Sequence, residues 1–188
     1  MPSSFKESSR VPNSVTLKKA TLLDYPIIQN IARFYVYDLS RDCGREEGWE
    51  IPKDGLYECF DLKSYFVNED RFPYLILLEN EIAGFAMINK VGARPYVDWN
   101  MGEFFILAKF QKRGLGRNAA IQIFNTHPGV WNVMVMPLNQ SAEKFWSSTI
   151  EDHTGKTIEP YPEMIMNPRP HPMNVFEFQS IFQPKLTF

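Results

Sequence analysis

The sequence predicts a single mixed α/β domain of the α+β type, with a central mixed, mostly antiparallel sheet flanked by helices. Hydrophobic residues make up 44% of the 188 residues, which suits a buried core. Strand-like and helix-like patterns follow one another in the order β α (α) β β β α β α β, and no repeat or linker divides them. We place the domain at 14–188, after a serine- and proline-rich flexible tail over 1–13.

The first two elements are a strand and a long helix. Residues 14–20 alternate apolar and polar side chains, which predicts a half-buried strand. The helix begins after Thr21 or Asp24 as alternative caps and tolerates Pro26 in its first turn. Apolar residues at helical spacing carry it to about Ser40.

A short helix and three strands follow in the middle of the chain. The helix is predicted over 62–67. Residues 74–78 and 82–91 read as two strands of a hairpin, joined by a polar turn at 79–81. Residues 96–107 form a long third strand.

The back half contains a helix, a strand and a second helix, over 113–125, 131–136 and 141–150. Ser141 is the expected cap of the second helix. From about residue 155 the chain is rich in proline, and there only 175–179 predicts a strand.

Composition excludes several classes of function. A net charge of −2 argues against nucleic acid or an anionic membrane as a partner, and no apolar run approaches the roughly 20 residues of a membrane span. Cys43 and Cys59 are too few for a disulfide scaffold, which favours a cytoplasmic protein. We expect no metal site, because the three histidines lie far apart, at 127, 153 and 171.

Residues 101–117 are the most informative for function. An apolar strand leads into the loop Gln111-x-x-Gly114-x-Gly116-Arg117, which opens directly onto a helix. Glycines let backbone N–H groups approach an anion, and a helix start presents unpaired donors and a positive dipole end. The pattern predicts a phosphate site. The alternative is a solvated turn.

Element order and this loop together resemble the GCN5-related N-acetyltransferase (GNAT) superfamily over about residues 14–180. Residues 103–107, Glu-Phe-Phe-Ile-Leu, resemble its fourth strand, and Asn139 follows the fifth strand, where members often place asparagine. Residues 142–146, Ala-x-x-Phe-Trp, resemble the segment Ala-x-x-Phe-Tyr of the next helix.

The resemblance implies an acetyl-CoA-dependent N-acetyltransferase whose amine acceptor attacks the thioester directly in a ternary complex. Strands 4 and 5 are expected to splay, from a bulge at 101–102, and to admit the pantetheine arm of acetyl-CoA. Backbone donors at about 105 and 106 would hold the thioester carbonyl oxygen. The implied cofactor-binding residues are Phe105, Ile106, Leu107, Gln111, Lys112, Arg113, Gly114, Leu115, Gly116, Arg117, Asn139 and Phe145. Asn139 could instead serve as a turn residue, and Phe145 as a core residue.

Glu103 is the candidate general base, because it is a carboxylate on an otherwise apolar strand. Burial would raise its pKa toward neutrality, as removal of a proton from an amine requires. Glu103 could instead be a structural carboxylate. Asp98 would then be the substitute base, or the amine would lose its proton through water. Trp146 departs from the family, since an indole cannot protonate the leaving thiolate as tyrosine can. The thiolate could instead take a proton from Ser147 or water, or it could leave without an acid.

The acceptor is expected to bind at segment 38–61, which contains eight acidic residues and three basic ones. This suits a cationic amine, on a small molecule or a protein; a solvated acidic loop is the alternative. The candidate substrate-binding residues are Trp49, Asp54, Tyr57 and Glu58. The rival function is a non-catalytic acyl-CoA-binding or regulatory module of the same fold. The sequence also leaves a homodimer open.

Overall fold

Seven strands and three α-helices are present in the computed structural model, which describes residues 15–57, 59, 62–166 and 170–181. They are, in order, β1 (Val15–Lys19), α1 (Tyr25–Cys43), β2 (Arg71–Leu78), β3 (Glu81–Asn89), β4 (Trp99–Ile106), α2 (Leu115–Thr126), β5 (Gly129–Val135), α3 (Gln140–Thr154), β6 (Tyr161–Met166) and β7 (Pro170–Ser180). Short 3₁₀ helices lie at Leu22–Asp24, Leu62–Phe66 and Ala108–Phe110. None of the helices in these ranges is long and apolar enough to cross a bilayer.

The strands form one sheet in the order β1-β2-β3-β4-β5-β7-β6. Neighbours are antiparallel except β4 and β5, which run parallel. The β4–β5 pairing covers only three residue pairs and ends at Met101 opposite Val133. Beyond that pair the two strands part, which confirms the predicted mixed fold and its splayed centre.

The splay begins at a β-bulge in β4, as expected. Met87 of β3 pairs with Glu103 and Ile88 pairs with Met101, so Gly102 is an extra residue without a partner on β3. Because one added residue reverses the alternation of side chains, Met101 and Glu103 face opposite sides of the sheet.

Each face of the sheet has its own core. The back core packs α2 and α3 onto the sheet around fully buried Phe124, Trp131 and Phe176. The front core packs α1 and the Leu62–Phe66 helix onto the sheet around Ile28 and Phe85. Glu103 and the other candidate site residues of β4 lie where this strand passes between the two cores.

The turn before α1 and the β2–β3 hairpin turn are stabilised by residues close to them in the sequence. The carboxylate of Asp24 accepts hydrogen bonds from the Thr21 N–H (2.9 Å) and hydroxyl (3.1 Å) and from Lys18 (2.8 Å). Both expected caps therefore act in one turn before α1, and Pro26 lies in the first turn as predicted. The hairpin turn is tight, with left-handed φ values of 51° at Glu79 and 68° at Asn80.

Two sequence-based expectations at the back were wrong. The helix α3 begins at Gln140 with Asn139 as its cap, rather than with Ser141, and it runs to Thr154. The proline-rich segment contains two strands instead of one, since β6 pairs with β7 from Tyr161 to Met166. Pro162 is tolerated in β6 because β6 is an edge strand with one unpaired side.

Candidate functional site

The loop before α2 has the backbone conformation of an anion-binding nest. Lys112 and Gly114 both adopt left-handed conformations, with φ of 57° and 76°. Left-handed residues alternating with ordinary ones turn successive N–H groups toward one side. Gly114 stands directly before α2, at the positive end of the helix.

The N–H groups of residues 112–117 are available to a ligand. Within the described part of the chain, none of them donates a hydrogen bond; the first bond of α2 runs from the Asn118 N–H to the Gly114 carbonyl at 3.0 Å. The preceding donor, the N–H of Gln111, is used by the Ala108 carbonyl. Six consecutive donors are therefore open at the mouth of this helix, as the phosphate hypothesis requires.

The loop is fastened to the end of β4 by two contacts. The Gln111 side-chain amide donates to the Ile106 carbonyl at 2.7 Å. A Cβ at Gly116 would lie 3.3 Å from Ile106 and 3.5 Å from the Phe145 ring, so glycine permits the close approach of α2. These two residues of the motif thus position the loop against the strand.

The three cations of the loop differ in their partners. Arg117 bonds to Asp152 and to the Ser148 hydroxyl on α3, both at 2.6 Å. Lys112 and Arg113 are exposed, and no ion pair with another described residue engages them. The charge open to an anion therefore comes from Lys112 and Arg113.

The gap beside β4 exposes main-chain groups of its last residues. The Leu107 N–H donates to the Ala83 carbonyl at 2.8 Å, which orients it toward β3. N–H directions alternate along an antiparallel strand. The N–H of Phe105 therefore also points to β3, whereas the N–H groups of Phe104 and Ile106 point into the gap. Of the two expected carbonyl-binding donors, Ile106 is therefore the one that opens toward β5.

Glu103 lies on the front of the sheet, partly buried beneath α1. The hydroxyl of Tyr35 on α1 lies close enough to act on its pKa as a hydrogen-bond donor to the charged form. Burial raises the pKa of Glu103 to about 7, and the Tyr35 hydrogen bond acts in the opposite direction. A carboxylate with this pKa can both take up and release a proton near neutral pH.

A second polar group adjoins Glu103 through the bulge. Asn89 of β3 donates to the Tyr65 hydroxyl at 2.7 Å, and a Cβ at Gly102 would collide with that hydroxyl. Asn100 in turn donates to Asn89 at 3.3 Å. The glycine of the bulge thus makes room for Tyr65 beside Glu103.

Asp98, the substitute base, lies elsewhere. Its carboxylate accepts from the Val130 N–H at 2.8 Å, where β5 begins. It precedes Glu103 by five residues, which corresponds to roughly 15 Å along a strand. The two carboxylates therefore do not share one site.

Trp146 and Phe145 form an aromatic cluster with β4 and α2. Trp146 is only 6% exposed and packs edge-to-face on Phe104 at 5.1 Å. Phe145 is partly buried and stacks on Phe104 at 5.9 Å. Asn139 caps α3, since its side-chain oxygen accepts from the Ala142 N–H at 3.0 Å. Trp146 has the role of a core residue.

The acidic segment is less closely tied to the site. Asp54 is exposed and accepts from the Leu56 N–H at 3.1 Å, and Trp49 is partly buried. Arg33 of α1 donates to the Tyr57 carbonyl at 3.3 Å, which attaches the segment to α1. Glu58 lies outside the described residues.

The sequence reasoning missed Tyr35, Tyr65 and Asn89. They come from α1, a 3₁₀ helix and β3, and they meet around Glu103 only because these elements pack on one face. No spacing in the sequence connects them.

Comparison with known proteins adds a family match. The model of the acetyltransferase (GNAT) family matches residues 33–148, which is more than half of the chain. A search of curated proteins finds no match.

Three solved structures illustrate the similarity of fold. An acetyltransferase from Thermus thermophilus is 20% identical, with a TM-score of 0.59 over 88% of this chain and 97% of that chain. A candidate acetyltransferase from Salmonella typhimurium, solved with acetyl-CoA, is 13% identical, with a TM-score of 0.56 over 93% and 98%. A candidate streptothricin acetyltransferase from Bacillus anthracis, in complex with acetyl-CoA, is 12% identical, with a TM-score of 0.51 over 88% and 98%.

Proposed function

The chain belongs to the GNAT family of acetyltransferases, and we propose that it transfers the acetyl group of acetyl-CoA to a primary amine by direct attack in a ternary complex. The observation that carries the proposal is the set of open N–H groups at 112–117, next to the parting of β4 and β5. An anion needs such donors, and an extended arm needs an unpaired strand edge. Coenzyme A has both a diphosphate and an extended arm.

The diphosphate would bind to the main chain of the loop. Lys112 and Arg113 would add charge, whereas Arg117 would contribute its N–H because its guanidinium already pairs with α3. The two neighbours solved with acetyl-CoA support this assignment, since they share the fold of this chain.

The pantetheine arm would enter the gap between β4 and β5. The N–H of Ile106 would hold the thioester oxygen and stabilise the negative charge that develops there, an effect of about 3 kcal/mol for one such donor. The amide nitrogen of Asn139 is the group left to contact the arm, since its oxygen caps α3. Leu107 and Phe145 would line the gap, with Phe105 supporting β4 from the front.

Glu103 would act as the general base. The amine nitrogen attacks the thioester carbon, a C–N bond forms, the C–S bond breaks and the amine loses a proton to the carboxylate. A pKa of about 7 suits this transfer at neutral pH. Trp146 cannot donate a proton to the sulfur, but a thiol whose pKa resembles that of cysteine, about 8.5, can leave without a dedicated acid.

For the acceptor we propose a cationic amine, bound near Trp49, Asp54, Tyr57 and Glu58. The exposed acidic residues of this segment would attract a positive charge, and its aromatic residues would offer ring faces. An amine panel tests this directly: polyamines and aminoglycosides should react faster than neutral amines of the same size. Equal rates for cationic and neutral amines would contradict the proposal that this segment binds the acceptor.

Two measurements test the proposed reaction. Acetyl-CoA at 100 times its dissociation constant should add about 2.7 kcal/mol of stability, which raises the melting temperature by several degrees. Release of free thiol in the presence of an amine should follow. Absence of the thermal shift at millimolar acetyl-CoA would contradict the proposal.

The rival, a non-catalytic acyl-CoA-binding module, is favoured by one observation: the residue in place of the family tyrosine is a buried tryptophan. A thermal shift without thiol release across the whole amine panel would support this rival.

A further inference from the structure

The Tyr35 side chain is held rigidly above Glu103. Its ring packs on Phe85 at 5.9 Å with an interplanar angle of 89°, and on Phe105 at 5.6 Å. These two phenylalanines are directly paired across β3 and β4. The ring position is therefore determined by both strands. Glu103 precedes Phe105 by two residues on the same face of β4, so its carboxyl group lies beside the Tyr35 ring, within reach of the hydroxyl.

Tyr65 lies near Glu103 as well, with its hydroxyl at Gly102, but it is oriented by other groups. Its hydroxyl accepts from Asn89, whose own oxygen accepts from the Val91 N–H at 2.8 Å and from Asn100 at 3.3 Å. This fixes which way the Asn89 amide points. The Tyr65 hydroxyl is thus engaged by Asn89 next to Gly102, which leaves Tyr35 as the neighbouring hydroxyl whose hydrogen bond acts on the pKa of Glu103.

We propose that Tyr35 is a positioning residue for the acyl transfer proposed above: its hydroxyl holds the Glu103 carboxylate in the orientation in which it accepts the proton of the amine. The proposal rests on the proposed function. Tyr35 keeps its own proton throughout, and the proton released from nitrogen goes to Glu103 as the C–N bond forms and the C–S bond breaks. A tyrosine on α1 thereby becomes part of the acceptor side of the site.

The charged and titratable groups near this pair are few. Tyr65 of the Leu62–Phe66 helix is near enough for the Glu103 charge to raise its pKa, and Arg71 of β2 lies 5.1 Å from the Tyr65 ring. Cys43 and Cys59 are near Tyr35. Because a hydrogen bond to the charged form lowers the pKa of a carboxyl, removing the Tyr35 hydroxyl must raise the pKa of Glu103 above its value of about 7.

The substitution Tyr35→Phe tests the proposal, since it keeps the ring between its neighbours and removes only the hydroxyl. We expect the acid limb of the kcat/KM profile against pH to move up by about one unit, a loss of about tenfold on the acid side. The KM for acetyl-CoA should stay unchanged. Tyr37→Phe, on an exposed position of the same helix, is the matched control and should leave the profile in place. A Tyr35→Phe profile that superposes on that of the wild type overturns the proposal.

A titration that needs no activity separates this proposal from the proposed function. The Glu103 carboxyl carbon, assigned by comparison with Glu103→Gln, can be followed by NMR in wild-type protein and in Tyr35→Phe. An upward shift of its midpoint in the variant is expected, and an unchanged midpoint overturns the Tyr35 hydrogen bond. If the wild type transfers no acetyl group while the midpoint still moves, the proposed function fails and the hydrogen bond stands.

Discussion

The two sides of the candidate site are built from different materials. On the cofactor side, the groups are main-chain N–H donors of residues 112–117 and the free edge of β4. On the proposed acceptor side, they are the side chains of Tyr35, Tyr65 and Glu103, which come from three elements. Backbone donors depend on local conformation, whereas a cluster of side chains depends on packing. Substitutions should therefore affect the two sides in different ways.

The largest effect is expected from Glu103→Gln, which removes the proposed base and keeps the shape of the side chain. We expect kcat/KM to fall by roughly 10²–10⁴, the usual contribution of a positioned general base, while the dissociation constant of acetyl-CoA stays the same. Asp98→Asn is the control and should retain activity, since Asp98 lies at the paired N-terminal ends of β4 and β5, away from the point where the strands part. Steady-state kinetics and calorimetric binding measure both quantities. A Glu103→Gln enzyme with normal kcat/KM would mean that water serves as the base.

The same substitution should stabilise the fold, because a base held in a buried place costs stability. The folded pKa of about 7 lies above the ordinary value of 4.5. Protonated Glu103 is therefore favoured in the folded state, and its stability contribution, complete below pH 4.5, is lost as the pH rises to 7. At about pH 8 we expect Glu103→Gln to raise the free energy of unfolding by on the order of 2 kcal/mol, and at about pH 4 to change it little. Urea denaturation at the two pH values measures this, and equal effects at both would contradict the burial argument.

The cofactor side can be tested by comparing two glycines with similar backbones. Gly114 and Gly155 have φ of 76° and 69°, and a Cβ at either would meet no other atom. Substitution by alanine should cost each about 1 kcal/mol through backbone strain. Only Gly114→Ala should also weaken acetyl-CoA binding, by about tenfold, since it reorients the donors of the loop. Equal affinities in the two variants would place the diphosphate elsewhere.

The smallest effect concerns the cations of the loop. Arg113→Ala should weaken acetyl-CoA binding by about fivefold, or about 1 kcal/mol, and lessen its dependence on salt. Arg117→Ala should change affinity by less than about twofold, because Asp152 and Ser148 already engage that side chain. Titration at two salt concentrations compares them. The reverse order would show that Arg117 leaves α3 to bind the ligand.

Much of this architecture was predictable because its signals are local. Three patterns each span a short stretch of sequence: the alternation in β1, the helical periodicity of α1 and the strand–loop–helix pattern around Gly114. The bulge could be expected at Gly102 because glycine favours a break in pairing. The strand β6 was missed because Pro162 and the prolines around it indicate irregular chain, and only pairing with β7 makes the segment an edge strand.

The sequence by itself determined the family, the order of the elements from β1 to α3 and the glycine loop that leaves N–H donors open, since each depends on neighbouring residues and their backbone preferences. Tertiary structure alone decided that Arg117 turns to α3, that Trp146 lies in the core, and that Tyr35 meets Glu103. Those contacts join residues far apart in the chain. Their existence depends on which faces of the helices pack against the sheet, and burial between those faces is what brings the pKa of Glu103 to about 7.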